Sequence, residues 1–174
     1  MEFSIDRSVE ILRQTPSTLE MFLSNLSDDW IFVNEGKDTW NAFDIIGHFI
    51  HGEKTDWIPR LNIILDDNKN KKFDPYDRFA QFENSKGKTL NDLLQEFKHL
   101  RNENLNYLES LKLTEDKFDL AGIHPAFGAV TIKQLISAWT VHDLGHIYQI
   151  TRVFAKQYKE SMGPFAEYIS IVKD

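Results

Sequence analysis

The chain has 174 residues, of which 41% are hydrophobic and 27% charged, and its formal net charge is −7. This is the composition of a globular chain able to bury roughly two-thirds of its unfolded surface, and the acidic balance excludes a broad attraction to nucleic acid or to anionic membrane. Cysteine is absent, which excludes disulfides, thiolate ligands and a cysteine nucleophile and leaves histidine and carboxylate to carry any metal or acid–base chemistry.

In chain order, four segments carry the 3.6-residue apolar period, and none shows the sustained alternation or Asn-Gly signal of strands. The reading is an all-α chain folded as one domain over 1–174. The first helix spans about Ile5 to Leu26 on the stripe Val9, Leu12, Leu19, Phe22 and Leu23, with Pro16 expected to kink or divide it. After a loop from Ser27 to Asp38, Asp38 or Thr39 caps a second helix that runs to about Leu65, bent late by Pro59. A polar connection over 66–87, long for a compact domain, follows as a candidate lid or site wall; Lys69, Lys71 and Lys72 form only a short basic patch in it. Thr89 caps the third helix, on Leu93, Leu94, Phe97, Leu100 and Leu108. The Pro/Gly loop from His124 to Gly128 leads to the fourth, which begins near Thr131. Without repeats or low-complexity linkers, the four helices should pack as one bundle. The N-terminal stretch lacks the basic-then-apolar order of a signal peptide, and no run reaches the about 18 apolar residues of a membrane span, so a cytoplasmic location is expected.

Of the six histidines, His142 and His146 stand four apart and share one helix face with Leu135, Trp139, Ile150 and Val153. Two buried imidazoles cost free energy unless they are paired or ligated, and a shared metal ion satisfies one nitrogen of each; bonding to neighbouring groups does the same. His48 lies among apolar residues of the second helix and completes a candidate ligand set of His48, His142 and His146. Glycine precedes His48 and His146, at Gly47 and Gly145, where a missing β-carbon would let helices approach closely; plain close packing explains it equally well. His99 falls off its stripe and is read as solvated, and His124 as a turn residue that can help to wall the site. His51, one turn beyond His48, is placed either near a metal-bound water or at the surface. Glu53, Asp56 and Asp143 read as helix-surface charges able to act as proton acceptors. The candidate catalytic set is His51, Glu53 and Gln149.

The run from Trp40 to Glu53 around His48, the run from His142 to Ile150, the His124-Pro125 loop with Gly128, and the ending from Tyr158 to Tyr168 resemble the DinB-like superfamily, which includes the bacillithiol transferases and mycothiol-dependent maleylpyruvate isomerases. The resemblance spans nearly the whole chain. It implies an up-down-down-up four-helix bundle, a homodimer, and one divalent ion, zinc or nickel, on His48, His142 and His146. Three neutral imidazoles leave coordination positions open, as in catalytic sites. The expected function is therefore a metal-dependent thiol S-transferase or hydrolase acting on a small molecule, possible thiol co-substrates included, with no nucleic-acid or membrane partner. The alternative is a non-catalytic metal-binding or stress-response module, which a fourth protein ligand from Gln149, His51 or Glu53 would favour.

Overall fold

A computed structural model describes residues 2–67 and 70–173, so Lys69 of the short basic patch lies outside the described residues. Helix α1 covers Ile5–Leu23, started by Ser4, whose hydroxyl accepts the Arg7 N–H. A single turn, α2, Asp28–Ile31, buries Ile31 inside what the sequence reads as loop. The second long arm is two helices, α3 at Ala42–Thr55 and α4 at Trp57–Leu65. The remaining helices are α5 at Ala80–Asn84, α6 at Leu90–Ser110 and α7 at Ile132–Lys156.

The caps explain the boundaries. Thr89 and Thr131 each accept an N–H from the residue three places on, and the side chain of that residue, Asp92 or Gln134, returns the bond to the capping N–H. Such reciprocal boxes satisfy donors that a helix start leaves unpaired. In the second arm the box is Asn41 with Asp44, not Asp38 or Thr39 as expected; Asp38 has φ +59, a left-handed turn conformation that asparagine, aspartate and glycine tolerate best. The arm breaks at Asp56, not at Pro59. The proline ring collides with the carbonyl four residues earlier, that of Thr55, so the distortion falls one turn ahead of the proline itself. In α1 the helix continues undivided through Pro16.

Ion pairs and hydrogen bonds give the directions. Glu53 meets Arg101 and Asn62 meets Tyr107, so the second arm and α6 run parallel. Glu20 meets Lys98 while Arg13 meets Glu109, so α1 runs opposite to α6. The result is an up-down-down-up four-helix bundle in which α1 and α7 neighbour each other and the parallel arms α3–α4 and α6 are joined by the long connection. That connection has to travel back along the bundle, which is why it needs about 20 residues.

Strands do occur, against the sequence reading. β1, Ala121–His124, pairs antiparallel with β2, Gly128–Thr131, in the register Ala121 opposite Thr131 to His124 opposite Gly128. The strands are only four residues long, too short for alternation to register as a pattern, and Gly128 closes the turn at φ +74. The returning connection is stitched to this hairpin by Phe73 N–H to Ile123 O at 2.9 Å and Ile123 N–H to Lys71 O at 2.7 Å. Phe73 packs closely on Gly122, where a β-carbon would sit 2.2 Å from the ring.

The apolar core lies in two blocks. One gathers Leu19, Leu23, Ile46, Phe49, Phe97, Ile150 and Phe154; the other gathers Leu12, Trp57, Leu61, Leu105, Leu108, Ile136 and Trp139. Between them lies a polar layer formed by His48, Glu53, Arg101 and Asp143, all buried, with His142 and His146 partly buried.

Candidate metal centre

α3 and α7 bring His48, His142 and His146 together, with one ligand atom of each within 4.8 Å of the others. The Nε2 of His142 lies 3.0 Å from that of His48 and 3.1 Å from that of His146. The outward nitrogens differ in their partners, and that of His146 fixes its tautomer. Gln149 presents its carbonyl Oε1 2.8 Å from His146 Nδ1, and because a carbonyl only accepts, Nδ1 carries the proton and Nε2 is a bare lone pair. His48 Nδ1 meets the Tyr76 hydroxyl at 3.2 Å. His142 Nδ1 is buried without a hydrogen-bond partner, its nearest carboxylate being Asp143 Oδ1 at 3.9 Å.

Nε2 lone pairs converging at such distances repel one another unless a proton or a metal cation lies among them. For an ion with about 2.0–2.1 Å bonds to nitrogen in tetrahedral geometry, ligand nitrogens stand about 3.3 Å apart, close to the separations around His142. The residues therefore fit a divalent ion. Burial, reinforced by the neighbouring rings, depresses the pKa of His48 to about 2 and, with His142, that of His146 to about 4, so both are neutral ligands near pH 7. The Trp40 ring stacks near His146 and lies 4.8 Å from His48, and Trp57 and Phe49 set their rings edge-on to His142. These aromatic rings limit how far the imidazoles can turn.

The three histidines line a cleft of about 580 Å³ whose other walls include Asp56, Trp57, Arg60, Phe73, Tyr76 and Arg78, with His124 and Phe127 from the hairpin. Connection 66–87 and the hairpin thus do wall the site. His124 acts as a turn residue, its Nδ1 accepting the N–H groups of Ala126 and Phe127, and its ring stacks on Phe127 at 4.3 Å. His99 is exposed and pairs with Glu103, as expected of a solvated residue.

The candidate catalytic residues are not gathered with the triad as a set. Gln149 is, but through His146. His51 is buried beside Tyr76, which stands between it and His48, and it opens on a separate hollow. Glu53 and Asp143 are corrections: both read as surface charges, and both are buried. They meet Arg101, which the sequence reading missed. Arg101 Nε and Nη2 donate to Glu53 Oε1 at 3.0 and 2.8 Å, Nη1 and Nη2 to Asp143 at 2.5 and 3.1 Å, and Nη1 to the Leu12 carbonyl at 2.8 Å. All five guanidinium N–H groups are used. Glu53 also accepts from Trp139 Nε1 and Asn104 Nδ2. Burial is the largest influence on the Asp143 carboxyl and pushes it up, but the Arg101 charge and the polar side chains around the carboxylate together outweigh it and hold the group below the usual carboxylate range. The signal was present: Arg101 lies four residues beyond Phe97 and seven before Leu108, on the apolar stripe.

The glycine argument also needs correction. A β-carbon at Gly47 would sit 2.5 Å from Ser85 Oγ, so that glycine admits the connection next to α5, while a β-carbon at Gly145 would meet nothing within 4 Å. Neither glycine serves an approach of α3 to α7. Asp56, read as a surface charge, instead faces the cleft as an ion pair with Arg60, 2.7 Å away.

A four-helix bundle with three inward imidazoles under an open cleft defines a helical protein equipped to bind a metal ion. The chain belongs to the DinB superfamily, whose sequence pattern matches residues 11–150. Among solved structures it is similar to YfiT from Bacillus subtilis, described as a probable metal-dependent hydrolase with an unusual four-helix bundle topology. The TM-score is 0.73 at 19% identity, covering 91% of this chain and 87% of that one, a likeness that carries the fold. No curated protein matches the chain. Among the described residues no helix is long and apolar enough to cross a membrane.

Proposed function

We propose that the protein is a metal-dependent hydrolase of small molecules, with one divalent ion, zinc or nickel, held by His48, His142 and His146. The observation that carries this reading is the convergence of three imidazole Nε2 atoms at the wall of a roomy cleft. When bound, such an ion supplies Lewis acidity and eases deprotonation of water near neutral pH. YfiT, the structural relative, is itself described as a probable metal-dependent hydrolase.

The chain's own groups then have separable tasks. Asp56 accepts the proton of the attacking water, since it is the one carboxylate among the residues lining the cleft. Burial raises its pKa and Arg60 opposes the rise, an environment that makes a carboxylate a stronger base. Gln149 and Tyr76 orient His146 and His48, and Phe73, Val130 and Leu135 keep bulk water from the apolar side. A static module would need a fourth protein ligand. The expected donors are occupied elsewhere: Gln149 on His146, Glu53 on Arg101, and His51 behind Tyr76. Thiol transfer is the second reading, favoured by a cleft large enough for a thiol co-substrate beside the electrophile.

The test is a set of small activated esters, amides and phosphoesters assayed with zinc-loaded, nickel-loaded and chelator-stripped protein. Hydrolysis should require the ion and fall about 100-fold or more in Asp56→Asn, with metal content unchanged. A protein that takes up neither metal would overturn the proposal. With no cysteine in the chain, a sulfur-to-metal absorption band from cobalt-loaded protein plus a small thiol, without hydrolysis, would transfer the case to thiol transfer.

A further inference from the structure

The charges around the cleft are sorted in a way that the proposed hydrolysis does not use. The chain as a whole is acidic, at −7, yet the residues lining the cleft comprise one carboxylate, Asp56, and two guanidinium groups, Arg60 and Arg78. Arg60 is buried, pairs with Asp56 at 2.7 Å and lies over the Phe73 ring, so those two charges cancel locally. Arg78 remains. Among the described residues no carboxylate lies within ion-pair distance of it, and its guanidinium lies 5.8 Å from the centre of the Phe79 ring.

The local chain geometry explains why Arg78 is left alone on this side. Asp74 and Asp77 line the separate hollow that holds His51, not the cleft. Asp77 is further occupied, its Oδ1 accepting the Phe79 N–H at 3.0 Å. The acidic residues of the segment therefore line the other hollow, while Arg78, exposed to solvent, stands at the rim of the cleft. Its position relative to the histidines is bracketed by its neighbours: Tyr76 meets His48 at 3.2 Å, and Phe79 stacks on Phe82, which packs on Trp40 beside His48. The opposite walls are apolar, with Phe73, Trp57, Val130 and Leu135, and the exposed Phe127 ring is carried at the hairpin tip.

We propose that this cleft selects small organic carboxylates with a planar or apolar body, the carboxylate gripped by Arg78 and the body lying against the hairpin side. The inference rests on the reading of this cleft as the substrate site. A guanidinium presents two parallel N–H groups that match both oxygens of one carboxylate. Lone positive charge in a cleft of an otherwise acidic protein also draws anions in preference to neutral molecules of the same shape. The neighbouring pair of Asp56 and Arg60 adds no net attraction, so selectivity for charge falls on one side chain.

Benzoate and benzamide, equal in shape and different in charge, are the probes, titrated calorimetrically or by chemical-shift perturbation into zinc-loaded and chelator-stripped protein. Benzoate should bind about tenfold or more tightly than benzamide in both states, and the preference should weaken as salt is added. Arg78→Gln should abolish the preference while leaving benzamide binding and zinc stoichiometry unchanged, and Arg78→Lys should restore part of it. Equal binding of the two probes would overturn the proposal. So would a benzoate preference that appears only with zinc and survives Arg78→Gln, because the ion itself would then be holding the carboxylate. A protein that refuses zinc but prefers benzoate through Arg78 would break the hydrolase reading and keep this one. Zinc uptake without charge preference would do the reverse.

Discussion

Arg101 and His142 place nitrogen atoms in the same buried layer, on facing helices, but their surroundings are completed to different degrees. Every N–H of Arg101 has an oxygen to meet, from Glu53, Asp143 and the Leu12 carbonyl. His142 has two other imidazole nitrogens close to its Nε2 and no hydrogen-bond partner on Nδ1. The first cluster is closed and has no access to the cleft; the second lines it. Polar groups inside one bundle thus divide into those the fold satisfies by itself and those it leaves for something else, and the difference is visible in hydrogen bonds alone.

The largest expected effect comes from breaking the closed cluster. Arg101→Met leaves Glu53 and Asp143 buried without their cation and should cost about 3–5 kcal/mol of stability, read as a fall in the urea midpoint of unfolding. A variant as stable as the parent would mean that the network is not a structural element. The open cluster should behave in the opposite way. His48→Ala, His142→Ala and His146→Ala should each abolish zinc uptake but change metal-free stability little, whereas zinc at about a hundredfold excess over Kd should stabilise the parent by about 2.7 kcal/mol. Thermal scans with and without zinc decide this, and His99→Ala should respond to zinc as the parent does.

A finer cut separates ligand from support. Gln149→Leu removes the acceptor that fixes the His146 tautomer and should weaken zinc binding about 10- to 100-fold, with metal-free unfolding unchanged; competition with a chelating dye measures it. The smallest effect serves as a reference away from the histidines. Glu35, hydrogen-bonded by Arg152, has its pKa held below 4.5, so its contribution is present above pH 4.5 and disappears as pH falls through the lower folded value. Glu35→Gln should slightly lower stability near neutral pH and reduce the acid dependence below pH 4.5, with zinc uptake untouched.

The same division governs what could be read from the sequence. The helices, the cap at Thr89 and the start of the last helix near Thr131 were legible because apolar period and capping residues are local properties. His48, His142 and His146 were legible because His142 and His146 share a face among apolar residues and His48 sits in an apolar run. The Arg101 cluster was not. Glu53 and Asp143 were read as solvated charges because charged residues on helices usually are, and only their stripe positions, four residues after Phe49 and after Trp139, argued otherwise. The hairpin escaped because two four-residue strands that pair with each other are too short to register as alternation, and the other edge of β1 is bonded to the returning connection. The break at Asp56 was displaced because a proline acts on the carbonyl four residues behind it. Asp56 and Arg78 reach the cleft only through tertiary placement, which no local pattern encodes.

Pro16 adds a consequence about how the bundle finds its alignment. A proline inside α1 leaves the Leu12 carbonyl without its helical donor, and Arg101 supplies that bond from across the bundle at 2.8 Å. The two irregularities, a carbonyl lacking a donor and a cation with one N–H to spare after its carboxylates are served, cancel only when α1 sits at one height against α6. Sliding α1 by a turn would expose both at once in the interior, each unpaired polar group costing about 1–3 kcal/mol. The residue that weakens the helix on its own therefore acts as a vernier mark, allowing a single reading of α1 against its neighbours where an uninterrupted apolar stripe would tolerate several.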